Sequence, residues 1–181
     1  LGFGGGGSGL SSPTFALGAE ATLASFVGDT TDQAIGANGV RYYNIFTPGI
    51  VGDMFVITGL EWKNGAVIIG NVGCGIVRVD ANPPTVNNAA MKCFASTVAQ
   101  VGASAIQRNN ILEQVIIEGG VPHAMYIQMD TGTATIRELP GAGAGRERTE
   151  AFSSDPPRTA TAAWNASPNT YYFKVYGKKF V

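Results

Sequence analysis

Charge is scarce in this sequence. Asp, Glu, Lys and Arg make up 14% of its 181 residues, against roughly 25% in ordinary soluble domains. The 12 basic residues nearly balance the 13 acidic ones, so the basic excess that releases counterions from phosphates is missing and nucleic acid is not an expected partner. Long apolar runs are missing too: no segment approaches the roughly 20 residues of a spanning helix, so no membrane span is expected. The first residues show no basic stretch leading into an apolar one, and no signal peptide is expected there. Cysteine occurs twice, at Cys74 and Cys93, too few for a disulfide framework. Their apolar, strand-like surroundings suit two buried thiols, with a single bridge between neighbouring strands as the alternative.

The residues that carry chemistry are equally sparse. Histidine occurs once, as His123, and a Ser-His-Asp or Cys-His mechanism would have to use it as its base. No Gly-x-Ser-x-Gly elbow accompanies it, and its place after Pro122 reads as a strand end. Two distant Cys and one His do not make a zinc site. The nearest approach to a calcium loop, Asp29-Thr-Thr-Asp32, reads as a solvated turn. Two carboxylate pairs, Glu113 with Glu118 and Glu61 with Asp53, could cleave a glycosidic bond only if the fold set them face to face; their positions suit solvated rim residues. Gly2-Phe-Gly4-Gly-Gly-Gly7 spells a dinucleotide fingerprint, but no strand precedes it and no helix follows. No catalytic residue, metal or cofactor is expected.

Glycine is abundant, at 25 residues. The opening Leu1-Gly-Phe-Gly-Gly-Gly-Gly-Ser-Gly-Leu10, followed by Ser11-Ser-Pro13, offers too little side chain for a core, so residues 1–13 read as a flexible arm and residues 14–181 as one domain. A second small-residue stretch, Pro140-Gly-Ala-Gly-Ala-Gly145, runs through Arg146-Glu-Arg-Thr-Glu150 to Asp155-Pro-Pro157 and reads as a long exposed loop. Elsewhere apolar residues recur with period two or in short runs rich in Val, Ile, Phe and Tyr, bounded by Gly, Asn, Asp or Pro, which is a strand pattern. Strands are expected at 21–27, 40–46, 53–60, 66–72, 76–80, 91–97, 111–118, 123–130, 133–139, 170–175 and 179–181. Helix is arguable only over 87–100, where no clean apolar stripe supports it. In the run 111–118 both faces are partly apolar, as suits a strand covered on both sides. About ten short strands with turns between them point to an all-β, antiparallel two-sheet sandwich of jelly-roll type with a Gly-rich N-terminal arm.

Aromatic rings are the remaining resource for binding. Trp62 and Trp164 lie in turn-like contexts, and Tyr126 sits on an expected strand. Exposed rings of this kind would suit sugar or protein contacts, while core packing is the plainer expectation for most of them. Trp164, in Ala163-Trp-Asn-Ala-Ser-Pro168, is the foremost candidate for ligand contact, ahead of Trp62 and Tyr126. The ending, Asn169 to Val181, is strongly β-prone and would be an aggregation hazard as a free edge. It is expected inside a sheet or under another subunit.

The Gly-rich arm, the sparsely charged short strands and the terminal Tyr171-Tyr-Phe-Lys-Val-Tyr176 resemble the β-sandwich or jelly-roll domains of tailed-bacteriophage virion proteins: tail-fibre tips, head fibres and capsid-decorating proteins. The likeness lies in general organisation and transfers no site residues. It implies a non-enzymatic structural protein of the virus particle, a homo-oligomer with a trimer favoured, whose arm meets other virion proteins and whose surface meets the capsid lattice or a host-surface glycan. The alternative is a carbohydrate-binding or receptor-binding module of a phage fibre or a bacterial adhesin.

Overall fold

A computed structural model describes residues 16–35, 40–66, 72–79, 90–97, 104–129, 134–143, 145–149 and 165–181. The strands are β1 (Leu17–Phe26), β2 (Thr31–Ile35), β3 (Val40–Phe46), β4 (Met54–Lys63), β5 (Val72–Arg78), β6 (Ala90–Thr97), β7 (Ile106–Glu118), β8 (His123–Met129), β9 (Ala134–Leu139), β10 (Gly145–Thr149), β11 (Asn165–Ala166), β12 (Thr170–Tyr171) and β13 (Phe173–Phe180). No helix occurs among the described residues, and the arguable stretch around residue 90 is strand β6. The expected arm, residues 1–13, lies outside the described residues, as does most of the strand expected at 66–72.

The strands form an antiparallel sandwich. One sheet runs β1-β13-β4-β7, a second runs β11-β10-β3-β8-β5-β6, and a small third runs β12-β9-β2. Taking β1, β3, β4, β5, β6, β7, β8 and β13 as strands one to eight, the two main sheets read 1-8-3-6 and 2-7-4-5. That winding is jelly-roll-like, with the chain crossing repeatedly between sheets. The core lies between them: Phe55, Ile57, Leu60, Trp62, Val115, Ile117, Phe173 and Val175 from the first sheet meet Phe46, Val72, Cys74, Ile76, Met125 and Ile127 from the second. The second sheet is buried on its other face as well, where Tyr43, Ile45, Val77, Ala124 and Tyr126 form a separate cluster.

Three differences from the sequence reading have physical causes. Strand β5 begins at Val72 rather than Ile76, because Gly73 and Gly75 are part of the pairing: Gly75 lies opposite Tyr126, where a missing side chain leaves room for a ring. The break in the ending falls at Tyr172 rather than after Val175, so that Thr170–Tyr171 is the short strand β12 and Phe173–Phe180 runs on as the single strand β13. Gly177 does not interrupt it, since a Cβ there would come within 2.6 Å of Leu23 and 2.8 Å of the Val56 carbonyl, so glycine is what lets β1 and β4 close on β13. Finally, part of the long loop expected after Pro140 is strand β10, which pairs with β3 from Gly145↔Asn44 to Thr149↔Val40. Alternating charged residues concealed it, since they show no apolar face.

A buried amide ties the second sheet to β12. Asn44 is fully buried, donates through Nδ2 to the Tyr171 carbonyl (2.5 Å) and accepts at Oδ1 from the Tyr171 amide (3.3 Å). Its side chain thus satisfies backbone groups that would otherwise be desolvated without partners. Asn44→Ala is expected to destabilise the fold by about 2–4 kcal/mol, read from urea unfolding, because both Tyr171 groups lose their partner.

Cys74 is fully buried. In the β5–β6 register it faces Ala95, while Cys93 faces Ile76, so the two cysteines are diagonal neighbours about 7–8 Å apart at Cα, beyond the usual disulfide range. The folded protein is therefore expected to keep Cys74 reduced and closed to a thiol reagent, with both cysteines titrating once it is unfolded in denaturant. A mass two hydrogens short of the sequence mass would contradict this.

Candidate interaction surface

The outer face of the β1-β13-β4-β7 sheet is the surface on which unexplained apolar groups and charged groups come together. Its layout depends on one irregularity in β4. Met54, Val56 and Thr58 point away from the core while Phe55 and Ile57 point into it; then the register against β13 and β7 shifts between Ile57 and Gly59. Beyond the shift the alternation is reversed, with Leu60 and Trp62 buried in the core. Such a bulge re-aims every later side chain, and here it puts Glu61 and Lys63 on the outer face.

Pairing across the sheet then sorts that face into two halves. At one end Leu17 lies opposite Phe180, and the next rows set Met54 opposite Glu118 and Lys178 opposite Val56 and Ile116. Met54 and Ile116 are each 38% exposed, and Leu17 is exposed beside them. At the other end Lys174, Glu61 and Arg108 form one row.

Glu61 is the centre of the polar half. It is 7% exposed and accepts from Lys174 Nζ (2.8 Å), the Tyr176 hydroxyl (2.7 Å) and the Tyr172 hydroxyl (3.4 Å). Arg108 lies over the Tyr176 ring at 4.2 Å and donates to Glu20 at 2.8 Å. The Thr58 hydroxyl also donates to Glu20, at 2.5 Å. Lys63 continues the network to Asp29, and Arg137 grips Asp29 (2.6 Å) and Asp32 (2.5 Å). Each cation here already has a carboxylate, so the region holds no surplus charge for a polyanion.

The candidates from the sequence fall elsewhere. Trp62 and Tyr126 are each 0% exposed, Trp62 in the core between the sheets and Tyr126 tilted at 47° against Tyr43 (centroids 5.7 Å apart) in the second cluster. Trp164 lies outside the described residues. His123 is buried at the start of β8, with Nδ1 2.8 Å from the Val121 carbonyl oxygen. Asp29 and Asp32 lie exposed about the start of β2, as solvated residues that also form ion pairs, both with Arg137 and Asp29 with Lys63 as well. Among the described residues no group of three or more His, Cys, Asp or Glu is placed to hold a metal. Glu61 and Asp53 are eight residues apart along one extended segment, roughly 25 Å, and do not face each other across a cleft. The Glu113 side chain lies outside the described residues.

The surface was partly visible in the sequence. The apolar second face of the run at 111–118 belongs to Ile116, which is half-exposed rather than covered within the chain. The pair Ile50-Val51, set between Gly49 and Gly52, is a further signal, since β-branched apolar residues are unusual at the centre of a turn. No protein-family profile, curated protein or solved structure matches the chain.

Charge pairing fixes a pH dependence. Burial pushes the Glu61 carboxyl up, but hydrogen bonds from Lys174 and Tyr176 outweigh it and hold the group below the ordinary Glu value of 4.5. Thr58 and Arg108 lower Glu20, and Lys63 and Arg137 lower Asp29. Lowered folded values mean that these groups contribute stability above the unfolded carboxylate range and lose it as pH falls through the folded values. Urea midpoints are thus expected to be flat near neutrality and to drop once pH passes below 4.5 for the glutamates and 3.8 for Asp29. Glu61→Gln is expected to cost about 1–3 kcal/mol at pH 7 and to flatten part of the acid limb.

Proposed function

We propose that this chain is a non-enzymatic structural protein on the outside of a virus particle, an oligomer that decorates the capsid or forms part of a fibre and works through protein-protein contacts. The observation that carries the proposal is the apolar half of the outer sheet face, where Leu17, Met54 and Ile116 stay exposed on a well-paired sheet. Contiguous exposed apolar groups on a rigid surface mark contact sites. The low overall charge, the Gly-rich arm and the likeness to phage virion domains agree with this. The arm would engage neighbouring virion proteins, and the likeness favours a trimer.

A carbohydrate-binding role on a fibre or adhesin is the second reading. With Trp62 and Tyr126 buried, its support rests on Trp164, so Trp164→Ala should abolish retention on whichever glycan the intact chain binds in a screen.

Static light scattering on the purified chain across micromolar concentrations is expected to give a mass that is a multiple of the monomer's. A strict monomer at every concentration would sink the assembly role.

A further inference from the structure

Two of the three most exposed large apolar residues among those described stand where the apolar half of the sheet ends. Ile50 is 72% exposed and Val51 85% exposed, on the loop from Thr47 to Asp53 that joins β3 to β4. That loop is held tightly. The Asp53 amide donates to the Ile50 carbonyl (3.1 Å), the Ile50 amide to Asp53 Oδ2 (3.3 Å), and the Gly119 and Gly120 amides of the β7–β8 turn to the carbonyls of Asp53 and Pro48 (2.8 Å each). Gly49 and Gly52 supply the positive φ angles, +50° and +97°, that the turn requires. At Gly119 an added Cβ would lie 2.3 Å from the Ile50 carbonyl oxygen, and at Gly120 2.6 Å from Val51, so the two turns fit together only without side chains there. Two apolar side chains are thus presented to solvent on a backbone already ordered, and a contact made through them loses little loop entropy.

Val181, also strongly exposed, follows β13 at the same end, its amide bonded to the Ala16 carbonyl (3.1 Å). With Leu17, Met54 and Ile116 it extends the patch along the sheet. Two rim pairs close within the chain, Asp53 with Lys179 (2.7 Å) and Arg78 with Glu118 (2.9 Å), and Lys178 lies opposite Glu20, which Arg108 also engages.

We infer that this end of the sandwich, centred on Ile50 and Val51, is where a second copy of the chain docks, the two copies presenting the same patch to each other; this rests on the contact role proposed above. The choice of occupant follows from charge. An anionic lipid surface is drawn by unmatched cations around an apolar tip, and here Lys179 and Arg78 each already have a carboxylate. Two identical patches whose charges cancel can face each other without like-charge repulsion. Such a same-patch contact joins copies in pairs, so it turns a monomer into a dimer or a trimer into a hexamer.

The test compares the intact full-length chain with the double variant Ile50→Asp/Val51→Asp and with Ile106→Asp, which charges an exposed apolar residue at the opposite end of the same sheet face. Light scattering reads the mass, and circular dichroism melting confirms that each variant is folded; Val51→Lys alone replaces the double variant should the latter melt early. The expected result is a wild-type mass that is an even multiple of the monomer's. The double variant is expected at half that mass, with self-association weakened roughly tenfold or more, and Ile106→Asp is expected to match wild type. An odd-numbered wild-type oligomer, an unchanged mass in the loop variant, or equal weakening by Ile106→Asp would overturn this docking site while leaving the assembly role standing. A monomeric wild type would overturn both.

Discussion

The first sheet exists only because β13 lies between β1 and β4. Its inward residues Phe173 and Val175 are fully buried, and its backbone bonds both neighbours, so strands from the opening and the middle of the domain are joined by residues 173–180. Pairings this distant in sequence place a large loop-closure cost ahead of any stabilisation. Gly177 is the local condition for this insertion: Leu23, brought inward by the bulge between Thr22 and Ala24 in β1, occupies the space a side chain would need. The bulges in β1 also interrupt one edge of this sheet, a familiar means of discouraging strand addition.

The character of that face follows from the bulge in β4. Without the extra residue at Thr58, the inward positions would continue as 59, 61 and 63, placing Glu61 and Lys63 in the core and turning Leu60 and Trp62 outward. With it, the large apolar groups fill the sandwich and the charged ones meet Lys174 and Arg108 on the outer face. One backbone irregularity therefore separates an apolar half, around Met54 and Val56, from a polar half around Glu61.

Strand existence was legible because period-two patterning reports which residues a sheet buries. Val40–Phe46 was placed to the residue, and β4, β6, β8 and β9 to within a few residues. What patterning does not carry is pairing. Nothing in the run at 111–118 tells whether both apolar faces are covered by the same chain, and Ile116 shows that one is not. Charged strands such as β10 give no apolar signal at all, since their order comes from backbone bonds to β3. Two of the aromatic candidates, Trp62 and Tyr126, define no surface for a related reason: they look turn-like or scattered in one dimension, and only the register against Gln107 and Tyr43 sets their rings in the interior.

Low charge and extensive ion pairing meet in the same molecule for one reason. Exposed ion pairs stabilise a fold by about 0–1 kcal/mol each, so Asp53–Lys179 and Arg78–Glu118 add little to stability. Their effect is on the field around the patch: a lone lysine or aspartate beside Ile50 and Val51 would repel its counterpart on an identical surface, whereas a closed pair does not. Glu61 differs because it is nearly buried, and leaving its carboxylate without Lys174, Tyr172 and Tyr176 would cost the full desolvation of a charge. The polar half of the face is therefore bound up with the stability of the sheet, and the apolar half, with its rim charges cancelled, is the part left free to make contacts.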